Sequence, residues 1–136
     1  MCGIFGWDYR KSKVSVEQRA MVAAILAVAN DTRGGDSWGI WNHNQLMKGL
    51  GDISNVAVKM VKSPVIMAHT RKATVGDITT PNAHPFAIGG IIGAHNGGIS
   101  NHAEMNTKYD RKFEVDSMHI FGHLAEGRPL TDLYGY

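Results

Sequence analysis

The chain has 136 residues, of which 43% are hydrophobic and 19% charged, values typical of one globular domain spanning residues 1–136. They exclude a disordered chain and a long coiled coil. The formal net charge of +2 is too small to indicate nucleic acid or an anionic membrane as a partner. The single cysteine, Cys2, excludes a disulfide framework and a cysteine-rich zinc site.

The N-terminal part of the chain predicts a strand followed by the longest helix. Residues 2–7 are apolar and punctuated by glycine, which is typical of a short buried strand. Ser15 and Gln18 have the spacing of a capping box and precede an alanine-rich apolar run. We therefore predict a helix over residues 16–30, apolar enough to be largely buried.

Two further strands and a hairpin are predicted in the next part of the chain. Residues 38–42 form an apolar run after a polar loop, and residues 64–69 form another that ends in polar side chains. Between them, residues 45–55 have the pattern of a hairpin region, with Gly49 and Gly51 at turns.

A long loop and a second hairpin follow. Residues 70–85 contain two prolines, a glycine and several threonines, so we expect a loop there. The apolar runs 86–88 and 91–95 are separated by Gly89 and Gly90, which predicts two strands joined by a tight turn.

The C-terminal part of the chain predicts two short helices. The first covers residues 102–108 with Asn101 as its N-cap, and the second covers residues 118–126 after Asp116 or Ser117. A glycine follows the second helix and ends it. Strands outnumber helices but both are present, so the predicted fold class is α+β.

We expect a cytoplasmic protein. The first residues lack the basic and long apolar regions of a secretory signal, and no window is long enough to cross a bilayer. In a reducing compartment a lone thiol stays free for chemistry.

Cys2 is the most informative residue in the sequence. Removal of Met1 leaves its α-amino group free beside its own thiol. An α-amine has a pKa of about 7.7–8.0, so near neutral pH part of it is an unprotonated base that accepts the thiol proton. One residue then supplies both nucleophile and base. The alternative, on position alone, is a small hydrophobic side chain that packs in the core.

Five short motifs occur in a fixed order along the chain, and they cover residues 2–6, 33–39, 68–76, 82–85 and 95–97. Together they resemble the class II glutamine amidotransferases, which are N-terminal-nucleophile glutaminases. The match extends from residue 2 to about residue 123. Each motif alone is weak, and their order gives the resemblance its specificity.

The resemblance implies a four-layer αββα sandwich of the N-terminal-nucleophile hydrolase type. The family domain is some tens of residues longer than this chain, so we expect the second sheet to be incomplete at the C-terminus. Missing strands leave exposed edges, which a homodimer or a partner would cover.

The resemblance also implies how a glutamine substrate is bound. Arg71 matches the arginine that binds the α-carboxylate, Asp116 matches the acidic residue that binds the α-ammonium group, and Thr74 lines the same site. A planar guanidinium suits a carboxylate better than the point charge of lysine does. From the residues alone, the alternative for Arg71 is a solvated surface arginine. The alternative for Asp116 is a helix N-cap.

The resemblance also assigns two further catalytic residues, Asn96 and Gly97, and one further substrate-binding residue, Arg33. Asn96 and Gly97 resemble the oxyanion hole, with the Asn96 side-chain amide and the Gly97 backbone N–H as donors. Their alternative is a simple Asn-Gly turn. Arg33 matches an arginine that shapes the site near the nucleophile, whereas Asp36 and Gly39 are interpreted as structural.

The seven histidines predict no metal site. His69, His84 and His95 fall inside the motifs, where we expect them to hold loops by hydrogen bonds. His119 and His123 have helical spacing but lack the glutamate of a zincin motif. We predict neither a metal nor a cofactor.

The sequence departs from the sugar-forming branch of the family at Lys72 and Val75, where that branch has tryptophan and histidine at the mouth of the pocket.

Three functions stay open. The chain is a glutaminase that passes ammonia to a separate synthetase, a stand-alone hydrolase of another γ-glutamyl amide, or a catalytically silent module that binds glutamine or a protein.

Overall fold

The computed structural model of the protein describes residues 1–135. Helices and antiparallel strands are both present, in agreement with the predicted α+β class. The strands are β1 (Gly3–Asp8), β2 (Ser37–Trp41), β3 (Leu46–Leu50), β4 (Val65–Arg71), β5 (Phe86–Ile88) and β6 (Ile91–Gly93). The α-helices are α1 (Val16–Asp31), α2 (His102–Lys108) and α3 (Met118–Ala125), and two 3₁₀ helices cover Ile53–Lys59 and Leu130–Asp132.

Four strands form the large sheet, in the order β1-β4-β2-β3 with every neighbouring pair antiparallel. The register pairs Gly3 with Thr70 and Ser37 with Arg71. Because β4 lies between β1 and β2, the residues just before β1 and β2 lie beside those just after β4. This end of the sheet carries the site described below.

Helix α1 packs on the large sheet and begins at the predicted capping box. The Ser15 side chain accepts a hydrogen bond from Gln18 N, and the Gln18 side chain accepts one from Ser15 N. The helix is not largely buried, contrary to the prediction. Ala23 and Ala27 are its buried residues, whereas the side chains of Met21 and Ile25 are 67% and 62% exposed. One side of the helix, with Ala23, Ala27 and the half-buried Val22 and Leu26, packs on the core, and the other side keeps apolar side chains exposed.

The small sheet consists of β5 and β6 and packs against α3. Gly89 and Gly90 both have positive φ, which confirms the predicted hairpin turn, since two-residue turns of this hand favour glycine. Phe86, Val115 and Phe121 form the buried core between this sheet and the helix.

Three local predictions are wrong. Gly49 lies inside β3, opposite Trp38, and its missing side chain leaves space for the indole ring. Residues 53–59 form a 3₁₀ helix rather than the end of a hairpin region. Asn101 makes no side-chain cap to α2, because its amide bonds instead to the backbone of Asp132 and Tyr134.

No helix in residues 1–135 is both long enough and apolar enough to cross a lipid bilayer.

Candidate active site

Cys2 lies at the end of the large sheet, and three separate segments hold it. Its backbone N donates to Asn96 Oδ1 at 3.1 Å, and its carbonyl oxygen accepts from Arg33 Nε at 3.0 Å. Its Sγ accepts from the backbone N–H of Lys72 at 3.3 Å. With Met1 attached, the Cys2 nitrogen is an amide and has no free lone pair for a proton. The thiol is thus fixed at a point that the strand register defines.

A small cavity of about 10 Å³, here called the thiol cavity, adjoins Cys2. This volume is close to that of a single water-sized probe, which is too small for an amino acid. Five of the predicted site residues line it, namely Cys2, Arg71, Thr74, Gly97 and Asp116. Asn96 and Arg33 contact Cys2 directly, so the structure brings all seven predicted site residues together. Their catalytic and binding roles stay predictions.

Arg71 is 2% exposed, which excludes the solvated surface arginine. Its guanidinium donates to the carbonyl oxygens of Val75, Gly76 and Asp77 at 2.5, 3.1 and 3.0 Å. Burial lowers the pKa of Arg71, and the nearby Cys2, Asp36 and Asp116 act in the opposite direction. The arginine therefore shapes the loop that covers the thiol cavity, a role that the sequence did not indicate.

Asp116 is 4% exposed, and its Oδ2 accepts a hydrogen bond of 2.6 Å from Ile99 N. It is not a helix cap, because Ser117 is the N-cap residue of α3 and no side chain makes a cap hydrogen bond there. Asp116 also lines an open cleft of about 410 Å³ beside the thiol cavity. Thr74 and Val75 separate the two spaces and line both.

Asn96 and Gly97 lie in an irregular segment after β6, not in the hairpin turn, which is formed by Gly89 and Gly90. Because Asn96 Oδ1 accepts from Cys2 N, the Nδ2 group of the same amide is directed away from that nitrogen. The amide donor is thus not used in the contact with Cys2.

Three histidines pack beneath the site, and two of them make hydrogen bonds as predicted. His69 Nε2 lies 3.2 Å from the His95 carbonyl oxygen, and His95 Nδ1 lies 3.0 Å from Ser117 Oγ. His84 instead stacks between His69 and Phe86, and neither of its ring nitrogens has a hydrogen-bond partner in residues 1–135. The prediction that His84 holds a loop by hydrogen bonds is wrong. Burial lowers the pKa of His69 to about 4 and that of His84 to about 2.

These buried imidazoles predict a loss of stability as the pH falls below 6.5, the ordinary pKa of histidine. In that range His69 and His84 bind protons in the unfolded chain but not in the folded protein. Each group therefore lowers the free energy of unfolding by about 1.4 kcal/mol for every unit by which the pH falls. We expect a lower midpoint of thermal unfolding at pH 5 than at pH 7.

The pH dependence should become shallower in His84→Phe and stay unchanged in His43→Asn, which alters an exposed histidine with positive φ. Calorimetry or circular dichroism between pH 7 and pH 5 provides the measurement. Equal slopes in the wild-type protein and His84→Phe would contradict the assignment.

His119 and His123 contact the guanidinium group of Arg111. Their Nδ1 atoms lie 3.2 and 2.9 Å from Arg111 Nη1, and Arg111 Nη2 also forms an ion pair of 2.8 Å with Glu126. In residues 1–135, no group of three or more histidine, cysteine, aspartate or glutamate side chains is arranged to hold a metal ion.

Sequence reasoning missed two contributors to the site. The backbone N–H of Lys72 contacts the thiol, and a backbone group gives no signal in the residue type. Asp36 binds the segment that carries this N–H, although it was interpreted as structural. Its position in the motif over residues 33–39 was the available signal.

Comparison with known proteins identifies the class. Residues 52–128 match the family model described as glutamine amidotransferases class-II, which is more than half of the chain. The chain belongs to the class II glutamine amidotransferases.

Its relatives are much longer proteins. Glutamine--fructose-6-phosphate aminotransferase [isomerizing] of Wigglesworthia glossinidia brevipalpis is 36% identical over 91% of this chain and 22% of that protein. The protein of the same name from Streptococcus agalactiae serotype V is 34% identical over 76% of this chain and 20% of its own length. That of Streptococcus pyogenes serotype M3 is 29% identical over 100% of this chain and 24% of its own length. The chain thus spans less than a quarter of these relatives.

Proposed function

We propose that the chain hydrolyses the side-chain amide of glutamine through a thioester on Cys2, giving glutamate and ammonia. The observation that carries the proposal is the hydrogen bond of 3.1 Å between Cys2 N and Asn96 Oδ1. It joins the prospective nucleophile and the prospective oxyanion donor in one rigid unit, as acyl transfer requires.

The first step needs a free amine, so Met1 is removed before the protein is active. The Cys2 amine accepts the thiol proton, and Sγ attacks the amide carbon of the substrate. The oxyanion that forms is stabilised by Asn96 Nδ2 and Gly97 N–H. Collapse of this intermediate breaks the carbon–nitrogen bond, the amine returns its proton to the leaving nitrogen, and ammonia departs from the thioester.

The second step regenerates the thiol. A water molecule gives one proton to the Cys2 amine while its oxygen attacks the thioester carbon, and the same two donors stabilise the second oxyanion. The carbon–sulfur bond then breaks, glutamate is released, and the proton on the amine returns to Sγ. Arg33 keeps the residue in place throughout through its bond of 3.0 Å to the Cys2 carbonyl.

The charged ends of the substrate bind at Arg71 and Asp116. A guanidinium has five N–H groups, and three hydrogen bonds of Arg71 go to the 75–77 loop, which leaves two N–H groups for the α-carboxylate. Asp116 uses Oδ2 for Ile99 N, so Oδ1 serves the α-ammonium group. Thr74 lies between the thiol cavity and the outer cleft and completes this side of the site.

The ammonia is passed to a separate acceptor. The names of the relatives describe aminotransferases that act on glutamine and fructose 6-phosphate. By analogy with these names, a synthetase that accepts the ammonia is proposed as partner, with a homo-oligomer as the alternative arrangement. The other two functions, a stand-alone γ-glutamyl amide hydrolase and a silent binding module, are outcomes of the tests.

The single domain over residues 1–136 is proposed to have the αββα layer order. Support comes from α1 on the large sheet, α3 on the small sheet, and the stack of His69, His84 and Phe86 between the two sheets. Gly39 has no side chain where the large sheet meets the His84 carbonyl, and this permits the close approach.

Glutaminase assays on variants of the substrate clamp test the proposal. We expect Asp116→Ala and Arg71→Ala to raise KM for glutamine by about 30-fold or more, since truncating one partner of a buried charge pair costs about 2–5 kcal/mol. Ammonia release at varied glutamine concentration gives KM and kcat. Asp52→Asn, which changes an exposed aspartate, is the matched control.

The substrate range separates the candidate functions. Butyramide has the carboxamide but no amino-acid head group, and hydrolysis of it as fast as glutamine would contradict the clamp. Turnover of γ-glutamyl anilide in preference to glutamine indicates the stand-alone hydrolase. Binding of glutamine without any ammonia release, in protein that has lost Met1, indicates the silent module.

A further inference from the structure

Asp36 makes three contacts to the last residue of β4 and the two residues that follow it. Its backbone N donates to the Arg71 carbonyl at 3.1 Å, and its Oδ2 accepts from Ala73 N at 2.9 Å. Its Oδ1 forms an ion pair of 3.2 Å with Lys72 Nζ. The Asp36 side chain is 18% exposed, whereas that of Lys72 is 58% exposed.

Two successive peptide groups meet the thiol, and Asp36 holds both. Lys72 N, in the Arg71–Lys72 peptide, lies 3.3 Å from Cys2 Sγ, and the Lys72 carbonyl oxygen, in the Lys72–Ala73 peptide, lies 3.6 Å from it. A backbone N–H directed at sulfur stabilises the thiolate, which is the nucleophilic form. The backbone N of Asp36 holds the first peptide group and its carboxylate holds the second, so the direction of the Lys72 N–H depends on both contacts.

We infer that Asp36 is a positioning residue for the Cys2 thiolate, because its carboxylate fixes Ala73 and thereby directs the Lys72 N–H at Sγ. The bond from Ala73 N also lowers the pKa of Asp36, so the carboxylate is ionised at neutral pH. The inference deepens the proposed function of Cys2 but concerns the thiol itself.

Positioning and charge have opposite consequences at Cys2, which makes the inference testable. The negative charge of Asp36 by itself disfavours a nearby thiolate, so a pure charge effect predicts faster alkylation of the thiol once the charge is removed. A positioning effect predicts slower alkylation once the bond to Ala73 is lost.

Two variants separate these effects. In Asp36→Asn the side-chain oxygen still accepts from Ala73 N, and only the ion pair to the exposed Lys72 ammonium is lost, an interaction that contributes little at a surface. In Asp36→Ala both the bond and the ion pair are lost. Asp8→Ala, which breaks an exposed ion pair with Arg10 elsewhere on the protein, is the matched control.

The experiment is alkylation of the only thiol by iodoacetamide between pH 6 and pH 10, followed by intact mass. We expect Asp36→Ala to slow alkylation at pH 7 about tenfold, the size of a loss of about 1.4 kcal/mol in thiolate stabilisation. Asp36→Asn and Asp8→Ala should stay within about threefold of the wild-type rate. If the protein turns glutamine over, Asp36→Ala should lower kcat more than it changes KM.

Three outcomes overturn the inference: faster alkylation in Asp36→Ala, wild-type alkylation in Asp36→Ala, or an equal loss in both Asp36 variants. If Asp36→Ala does not unfold cooperatively on heating, Asp36→Ser replaces it and the same loss is expected. Because alkylation needs no glutamine, absence of glutaminase activity would contradict the proposed function and leave the result on Asp36 intact.

Discussion

Replacing Cys2 with alanine is expected to abolish ammonia release from glutamine, with a loss of at least about a thousandfold. Removal of the nucleophile in acyl-transfer enzymes typically leaves only the small residual rate that binding and the oxyanion hole provide. A glutamine analogue with an electrophilic side chain should label Cys2 in the wild-type protein and nothing in Cys2→Ala, as read by intact mass.

The wild-type protein should also be inactive while Met1 is attached. The Cys2 nitrogen is then an amide that donates to Asn96 Oδ1 and cannot accept the thiol proton. Samples in which Met1 is retained or removed, distinguished by intact mass, provide the comparison. Full activity with Met1 retained, or labelling at a residue other than Cys2, would disprove the N-terminal-nucleophile mechanism.

The second large effect is expected at Asn96. Asn96→Ala should lower kcat by about 100- to 1000-fold with a small change in KM, because an oxyanion donor acts mainly in the transition state. Single-turnover and steady-state assays at saturating glutamine measure it. Asn44→Ala, in an exposed loop, is the control.

Asn96→Asp distinguishes the two ends of the amide. It keeps an oxygen that accepts from Cys2 N and loses the Nδ2 donor. A loss at least as large as that of Asn96→Ala is expected, because the donor is gone and a carboxylate charge stands beside the oxyanion. Wild-type kcat in Asn96→Asp would show that Asn96 only anchors Cys2, and the oxyanion role would be withdrawn.

Much of the secondary structure was predictable because its causes are local. The capping box of Ser15 and Gln18 and the turn at Gly89 and Gly90 each depend on a few consecutive residues, and both are present as predicted. The order of the motifs also selected the residues around Cys2. That selection came from resemblance to a family, and no distance between the residues followed from it.

The predictions failed where the cause lies far away in the chain. Contact with the large sheet decides which side of α1 is buried. The apolar sequence of the helix, taken alone, wrongly predicted that most of it is buried. His119 and His123 contact Arg111, 8 and 12 residues earlier, which helical spacing alone does not reveal. The contact of Asp36 with Ala73 spans 37 residues and exists only because β2 and β4 are neighbours.

The small size of the thiol cavity bears on affinity. At about 10 Å³ it is far below the roughly 300–1,000 Å³ of ordinary ligand pockets, so the structure leaves no space for a whole amino acid next to the thiol. If the proposed substrate binds after an opening, the apparent dissociation constant equals the intrinsic constant divided by the fraction of open molecules. With one open molecule in ten, apparent binding is tenfold weaker, or about 1.4 kcal/mol. The three bonds from Arg71 to the carbonyl oxygens of residues 75–77 oppose such an opening, whereas its two remaining N–H groups are left for the substrate carboxylate.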